Sequence, residues 1–85
     1  MVKTRSASHV IVRVPGIHGG EPTVRGTRVS VRSIVIALER YNDLEHVARS
    51  FSLDSEQVRA ALAYYEAHKA EIDLIIDQRE RDALG

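Results

Sequence analysis

The fold is decided by DLEHVARSFSLDSEQVRAALAYYE, residues 43–66, which predicts two helices joined by a tight turn. Apolar residues recur at i, i+3, i+4 and i+7 in each half, so each half has one apolar stripe at the helical period. Two short helices with so short a connection are typical of a helix-turn-helix, although a hairpin in any small helical bundle has the same pattern. The stripes are Leu44, Val47, Ala48 and Phe51, then Val58, Ala61, Leu62 and Tyr65.

The start of the second helix is marked by three local signals. Asp54 is a favourable N-cap, because its carboxylate accepts from the free N–H groups of the first turn. Gln57 stands where it completes a capping box, and Leu53 with Val58 has the spacing of a hydrophobic staple. These signals agree on the start of the helix that is predicted over residues 55–67.

Size and composition restrict the class of protein. Eighty-five residues make one domain at most, and a core this small is often supported by a second copy or a partner. Without cysteine there is no disulfide or thiolate zinc site, and the four histidines lack the i, i+4 spacing of a helical metal site. We therefore expect no enzyme, metal or cofactor. With no signal peptide or membrane span recognised, a cytoplasmic location is the default expectation.

The charge is zero overall but unevenly placed. Residues 1–33 hold six Lys or Arg side chains against Glu21 alone, and residues 34–85 hold six against eleven carboxylates. This asymmetry predicts two surfaces with different partners, of which the basic one suits phosphate. The alternative is that these charged side chains are simply solvated by water and bind no partner.

The N-terminal third predicts a small β element. Residues 1–8 are polar and expected to be flexible. Residues 9–14 are rich in β-branched side chains and predict a strand that ends at Pro15-Gly16, with Val29 closing a short second strand against it.

The loop IHGGEPTVRGTR, residues 17–28, combines three glycines with two arginines. Exposed N–H groups beside Arg25 and Arg28 would suit a phosphate. The alternative is a turn whose glycines serve geometry and whose arginines pair with Glu21 or with helix carboxylates.

Three successive helices are predicted at 31–41, 44–51 and 55–67, with Ser30 and Asp43 as caps and Asn42 as a left-handed C-terminal residue. This is the homeodomain-like plan, in which the third helix enters the major groove. Gln57 and Arg59 are residue types that read adenine and guanine, whereas Asp54 and Glu56 oppose phosphate. The candidate DNA-binding residues are Arg25, Arg28, Arg32, Ser55, Gln57 and Arg59.

Residues 68–85 predict a further helix, either continuous with the third or bent near His68. Its apolar stripe lies among carboxylates, which favours a partner-binding or dimerisation surface, with packing on the chain's own core as the alternative. The candidate partner-binding residues are Ile72, Ile75, Ile76, Arg79 and Arg81.

The segment GGEPTVRGTRVSV, residues 19–31, closely resembles the signature of the family known as domain of unknown function 433, and residues 55–65 resemble its last helix. The resemblance extends over about residues 9–76. It departs from the family pattern at Glu21, where lysine is common, and at Tyr41-Asn42, where glycine is common.

The resemblance implies a mainly α fold with a small β element, namely a homeodomain-like or winged-helix-like helix-turn-helix over residues 9–67 followed by a C-terminal helix. Some members resemble VapB-type antitoxins, which implies a homodimer that binds operator DNA and a PIN-like ribonuclease toxin. The candidate toxin-binding residues are those of the C-terminal stripe, with Arg79 or Arg81 neutralising carboxylates of the toxin. The alternative is an interaction or oligomerisation module that does not bind DNA.

Overall fold

The computed structural model describes residues 10–84, which form four helices and a two-stranded antiparallel sheet. The strands are β1 (Ile11–Val12) and β2 (Thr23–Val24), with a short 3₁₀ turn at His18–Gly20 between them. The helices are α1 (Val31–Tyr41), α2 (Leu44–Ser50), α3 (Ser55–Ala67) and α4 (Lys69–Leu84). The predicted class, mainly α with a small β element, is confirmed. The flexible segment predicted at 1–8 lies outside the described residues.

The β element is shorter than predicted and pairs differently. Ile11 lies opposite Val24 and Val12 opposite Thr23, so the strand predicted at 9–14 is reduced to two residues, and His9 lies outside the described part. The second strand is not Val29, because Val29 lies on the other side of β2, where its carbonyl oxygen accepts from the N–H of Val24 at 2.8 Å. Pro22 before β2 and the turn after it, where Gly26 has a φ of 78°, limit the length of the ladder.

The first three helices begin where local signals placed them, and they end as predicted except α2, which ends at Ser50 rather than Phe51. Ser30 accepts from the N–H of Ser33 at the start of α1, and Asn42 ends that helix with a φ of 52°. Asp43 accepts from two N–H groups at the start of α2. At α3, Asp54 and Gln57 form both halves of the capping box, with distances of 2.8 and 2.9 Å.

The connection between α2 and α3 is short and partly buried. Phe51 to Asp54 join the two helices, and Ser52 has a φ of 59° that turns the chain. Leu53 is buried beside the start of α3, as expected of a hydrophobic staple. The helix-turn-helix is therefore built from a capped α3 and a tight turn.

One hydrophobic core joins all the helices to the sheet. α1 is central, since it packs against α2, α3 and α4. The fourth helix contributes Ile72, whose side chain has no exposed surface, so packing on the core is the correct alternative for that residue. The buried apolar residues are Ile11, Val24, Val31, Ile34, Val35, Val47, Ala48, Leu53, Val58, Ala61 and Ile72.

A break at His68 separates α3 from α4. Its φ of −131° and ψ of 39° are not helical, and its N–H donates to the carbonyl oxygens of Tyr64 and Tyr65. The His68 ring stacks on Tyr64 with 4.0 Å between centroids. Across the break, the hydroxyl of Tyr65 donates to Asp73 at 2.8 Å. Of the two predicted forms, the chain adopts two helices rather than one.

Within residues 10–84, no helix has the length and apolar character needed to cross a membrane.

The Asp54 cap gives a direct test of the helix-turn-helix boundary. Asp54→Ala leaves the N–H of Gln57 without its acceptor, so we expect the free energy of unfolding to fall by about 1 kcal/mol. Urea denaturation measures it, with Glu56→Ala as the matched control, because Glu56 is exposed in the same turn and takes no part in the capping box. Equal midpoints for the two variants would contradict the cap.

The bond between Tyr65 and Asp73 predicts a late phenol titration. Donation to the Asp73 carboxylate, more than desolvation, raises the pKa of Tyr65 to about 12 from 10.0. Because the folded pKa lies above the unfolded one, this contribution to stability is complete below pH 10 and is lost between about pH 10 and 12. The ¹³Cζ shift of Tyr65 followed by NMR reports it. In Asp73→Asn the pKa of Tyr65 returns towards 10, and the same late titration in that variant would disprove the assignment.

Candidate functional site

A cluster of charged side chains is centred on Glu21. This residue lies between the turn His18–Gly20, called the glycine turn below, and β2, and it is 7% exposed. Its Oε1 accepts from Nε of Arg32 at 3.1 Å, and its Oε2 accepts from Nη2 of Arg79 at 2.6 Å. One buried carboxylate thus binds the loop to α1 and to α4. Burial of a carboxylate is costly unless it is paired and hydrogen-bonded, and both conditions are met.

The loop positions Glu21 through three consecutive left-handed residues. His18, Gly19 and Gly20 have φ of 52°, 65° and 88°. Glycine adopts such angles without a Cβ clash, so the Gly-Gly pair allows the tight reversal that places the next side chain inward. Beyond it, the hydroxyl of Thr23 donates to the carbonyl oxygen of Glu21 at 2.8 Å.

A second ion pair binds the end of the sheet to α4. Arg13 follows β1, and its guanidinium donates to the carboxylate of Glu71 and, at 2.7 Å, to the hydroxyl of Tyr64. The hydrogen bond to Glu71 is the largest cause that raises the pKa of Arg13 above its ordinary value. Arg13 therefore keeps its charge across the whole working range of pH.

An open cleft of about 360 Å³ lies between the glycine turn and α4. Arg79 spans it, because its Nη2 also approaches the carbonyl oxygen of His18 at 3.3 Å. The cleft contains both signs of charge, so it has no strong preference for an anion or a cation. Its lining residues are Arg13, His18, Gly19, Gly20, Glu21, Ile75, Gln78, Arg79 and Asp82.

The predicted phosphate-binding arginines differ in their surroundings. Arg25 and Arg28 are exposed, whereas Arg32 is partly buried and paired with Glu21. From the loop, Glu21 pairs with Arg32 of α1 and with Arg79 of α4.

The predicted base-reading residues lie together at the start of α3. Arg59 is exposed, and Ser55 and Gln57 are half-buried. The amide oxygen of Gln57 accepts from the N–H of Asp54, and bidentate recognition of adenine would need the same oxygen. Arg59 is therefore the best-placed side chain of this group for a base contact.

The predicted toxin-binding residues are divided between the core and the surface of α4. The structure corrects the expectation that all three isoleucines form an outward surface, because Ile72 is fully buried and Ile75 and Ile76 are half-buried against the core. Arg79 is paired with Glu21, while Arg81 is 74% exposed and pairs with Asp77 of the same helix at 2.7 Å.

Sequence reasoning did not predict that Glu21 bridges Arg32 and Arg79, nor that Arg13 pairs with Glu71. One signal was present, since Glu21 is the sole acidic residue in the first 33 positions and stands amid six cations. The loop sequence also allowed its arginines to pair with Glu21 or with helix carboxylates. Pairs of these two kinds are present, but Arg32 and Arg79 make the contacts with Glu21, and Arg13 makes the contact with Glu71.

Within residues 10–84, no group of three or more His, Cys, Asp or Glu side chains is arranged to hold a metal ion. The charged side chains of the site pair with one another, and the cleft is open to solvent on one side. The arrangement is suited to fixing elements in place and to presenting arginines.

Comparison with known proteins agrees with this fold. An uncharacterized protein of Sinorhizobium fredii, y4eO, is 36% identical over 64 residues, which cover 74% of this chain and 29% of that protein. The chain therefore spans less than a third of that relative's length. The crystal structure of a DUF433 member from Anabaena variabilis matches with a TM-score of 0.76 and 27% identity, covering 86% of this chain and 73% of that one.

The family model described as protein of unknown function, DUF433, matches residues 11–65, from β1 to the last turns of α3. This stretch includes the glycine turn, Glu21 and the helix-turn-helix except the last two residues of α3. The chain belongs to the DUF433 family.

Proposed function

We propose that the chain is a non-catalytic antitoxin that binds operator DNA as a homodimer and inhibits a PIN-like ribonuclease toxin. The observation that carries the proposal is the helix-turn-helix, in which a capped α3 packs on α1 and α2 and presents Arg59 to solvent. A helix so held is the usual element for reading the major groove.

The DNA-binding half of the proposal needs two copies of the chain. Arg25, Arg28 and Arg59 are exposed cations, while the exposed carboxylates of Asp54 and Glu56 repel phosphate at the start of α3. So few phosphate contacts give one copy only weak binding. A dimer doubles the contacts and fixes the spacing of two half-sites, which a helix-turn-helix protein uses for specificity.

The toxin-binding half of the proposal uses the surface of α4 that the core leaves free. Leu74 is 56% exposed, and Arg81 extends from the same helix. The two residues are seven positions apart, so they lie on the same face of the helix about two turns from each other. Apolar side chains and arginines on one face are a common composition for a protein interface. To neutralise carboxylates of a toxin, Arg81 must leave the exposed Asp77 of its own helix, whereas Arg79 must leave the buried Glu21.

A second candidate is an interaction or oligomerisation module that does not bind DNA. The specific observation in its favour is the acidic start of α3, where Asp54 and Glu56 are both exposed. With one cation, Arg59, in the same two turns, this surface has no excess of positive charge for a phosphate backbone.

Titration of a DNA fragment carrying the chain's own promoter separates the two candidates. If DNA is bound through Arg25, Arg28 and Arg59, affinity falls steeply with salt, and removing one phosphate contact reduces the log–log slope by about 1. We expect Arg28→Ala to reduce the slope and Arg59→Ala to weaken the specific site most. Arg81→Ala, on α4, serves as the control with unchanged binding. The absence of any complex at low salt would favour the second candidate.

Co-expression with the product of the neighbouring gene tests the toxin-binding half. We expect the two proteins to co-purify, and Arg81→Ala to weaken the complex about tenfold, as for a central interface arginine. Arg40→Ala is the matched control, because Arg40 is also an exposed arginine near a helix end but lies on α1. Equal dissociation constants for both variants would contradict a toxin contact through Arg81.

A further inference from the structure

The two halves of α4 are held to the body of the protein in different ways. The first half is bound by the buried Ile72, by the ion pair of Glu71 with Arg13 and by the bond of Tyr65 to Asp73. From residue 77 to residue 83 every side chain is exposed. Among the described contacts, the hydrogen bonds of Arg79 to Glu21 and to the carbonyl oxygen of His18 join this second half to the loop.

The contact of Arg79 with Glu21 can open without leaving a buried charge unpaired. Removing the partner of a buried charge is normally costly, because the charge is left without compensation. Here Arg32 and Arg79 bond to different oxygens of Glu21, Oε1 and Oε2, so departure of Arg79 does not require the bond of Arg32 to break. The Arg79 side chain is already 46% exposed, so its guanidinium regains water readily. Both observations lower the free energy of opening.

Opening would release a charged side chain at the edge of the cleft. The cleft beside the glycine turn is lined on the α4 side by Ile75, Gln78, Arg79 and Asp82. Moving the end of α4 away from the loop frees the guanidinium of Arg79, while the half-buried Ile75 stays packed against the core. The freed arginine, beside the cleft, is then available to a partner.

We propose that the Arg79–Glu21 ion pair is a latch, which holds the second half of α4 closed over the glycine turn and releases it to an acidic partner surface. In the closed form Arg79 binds a carboxylate oxygen and a carbonyl oxygen, so a competing partner must offer oxygen acceptors of the same kind. The latch therefore keeps the guanidinium of Arg79 bound to the loop until such a partner binds. The identity of that partner rests on the proposed function, but the latch itself does not.

Amide hydrogen exchange on the full chain, without any partner, tests the latch. In Arg79→Ala we expect exchange in the C-terminal turns of α4 to be about three- to fivefold faster, which corresponds to the loss of one partly exposed ion pair. Raising the salt towards 1 M, where the Debye length is roughly 3 Å, should produce a similar rise in the unaltered chain. Exchange in α1 and α3 should not change, which shows that the core is intact.

Arg81→Ala is the matched control for exchange, because within residues 10–84 the ion pair of Arg81 is with Asp77 of its own helix, and Arg81 lies two residues from Arg79. Equal acceleration in both variants would overturn the latch, since helix fraying alone would then explain the effect. Slow exchange in Arg79→Ala, indistinguishable from the unaltered chain, would overturn it as well.

A second measurement concerns the partner. If the neighbouring gene product binds the released Arg79 beside the cleft, Glu21→Gln should strengthen the complex about threefold. The reason is that Arg79 then loses the carboxylate that competes with the partner in the closed form. An unchanged or weaker complex, together with faster exchange in Arg79→Ala, would keep the latch and refute its use for this partner. If no variant forms a complex with the neighbouring gene product, the proposed toxin is refuted. The latch is then decided by the exchange measurement, which needs no partner.

Discussion

The pairing of the buried Glu21 carboxylate with two arginines is the constraint on which the arrangement of the outer elements depends. A carboxylate with 7% exposure must be compensated, and the compensating groups come from α1 and from α4. This requirement fixes the glycine turn against the helices, although the turn contributes no apolar side chain that is fully buried. In a chain this short, an ionic contact orders a segment that the hydrophobic core does not reach.

The helices were predictable because their signals are local. Ser30, Asp43 and Asp54 each satisfy N–H groups within three residues, and the apolar stripe repeats within two turns. The β element was predicted less well, because strand length depends on a partner strand, and Pro22 and the turn after Val24 shorten that partner. The pair of Glu21 with Arg79 joins residues 58 positions apart, and no local pattern specifies such a contact.

The short range of these sequence signals also explains which parts of the candidate site could be predicted. The position of Arg59 on an exposed face follows from the helical period, and so does the burial of Val58 beside it. Gln57 shows how two local interpretations compete for one side chain, since its amide oxygen serves the capping box and is then committed there. The division of α4 into a half anchored by Ile72 and an exposed half depends on packing against α1 and α3, which periodicity alone does not give.

That division allows one short chain to have both a stable body and an adaptable end. Stability requires Ile72 inside the core and the cap at Asp54, and both lie at or before the first turn of α4. The exposed second half of that helix contributes little apolar burial, so its movement leaves the folded body intact. Arg32 and Arg79 bond to different oxygens of Glu21, so the contact with α1 does not depend on the contact with α4. The proposed function, in which one surface binds DNA and another binds a second protein, would use this independence between the two halves.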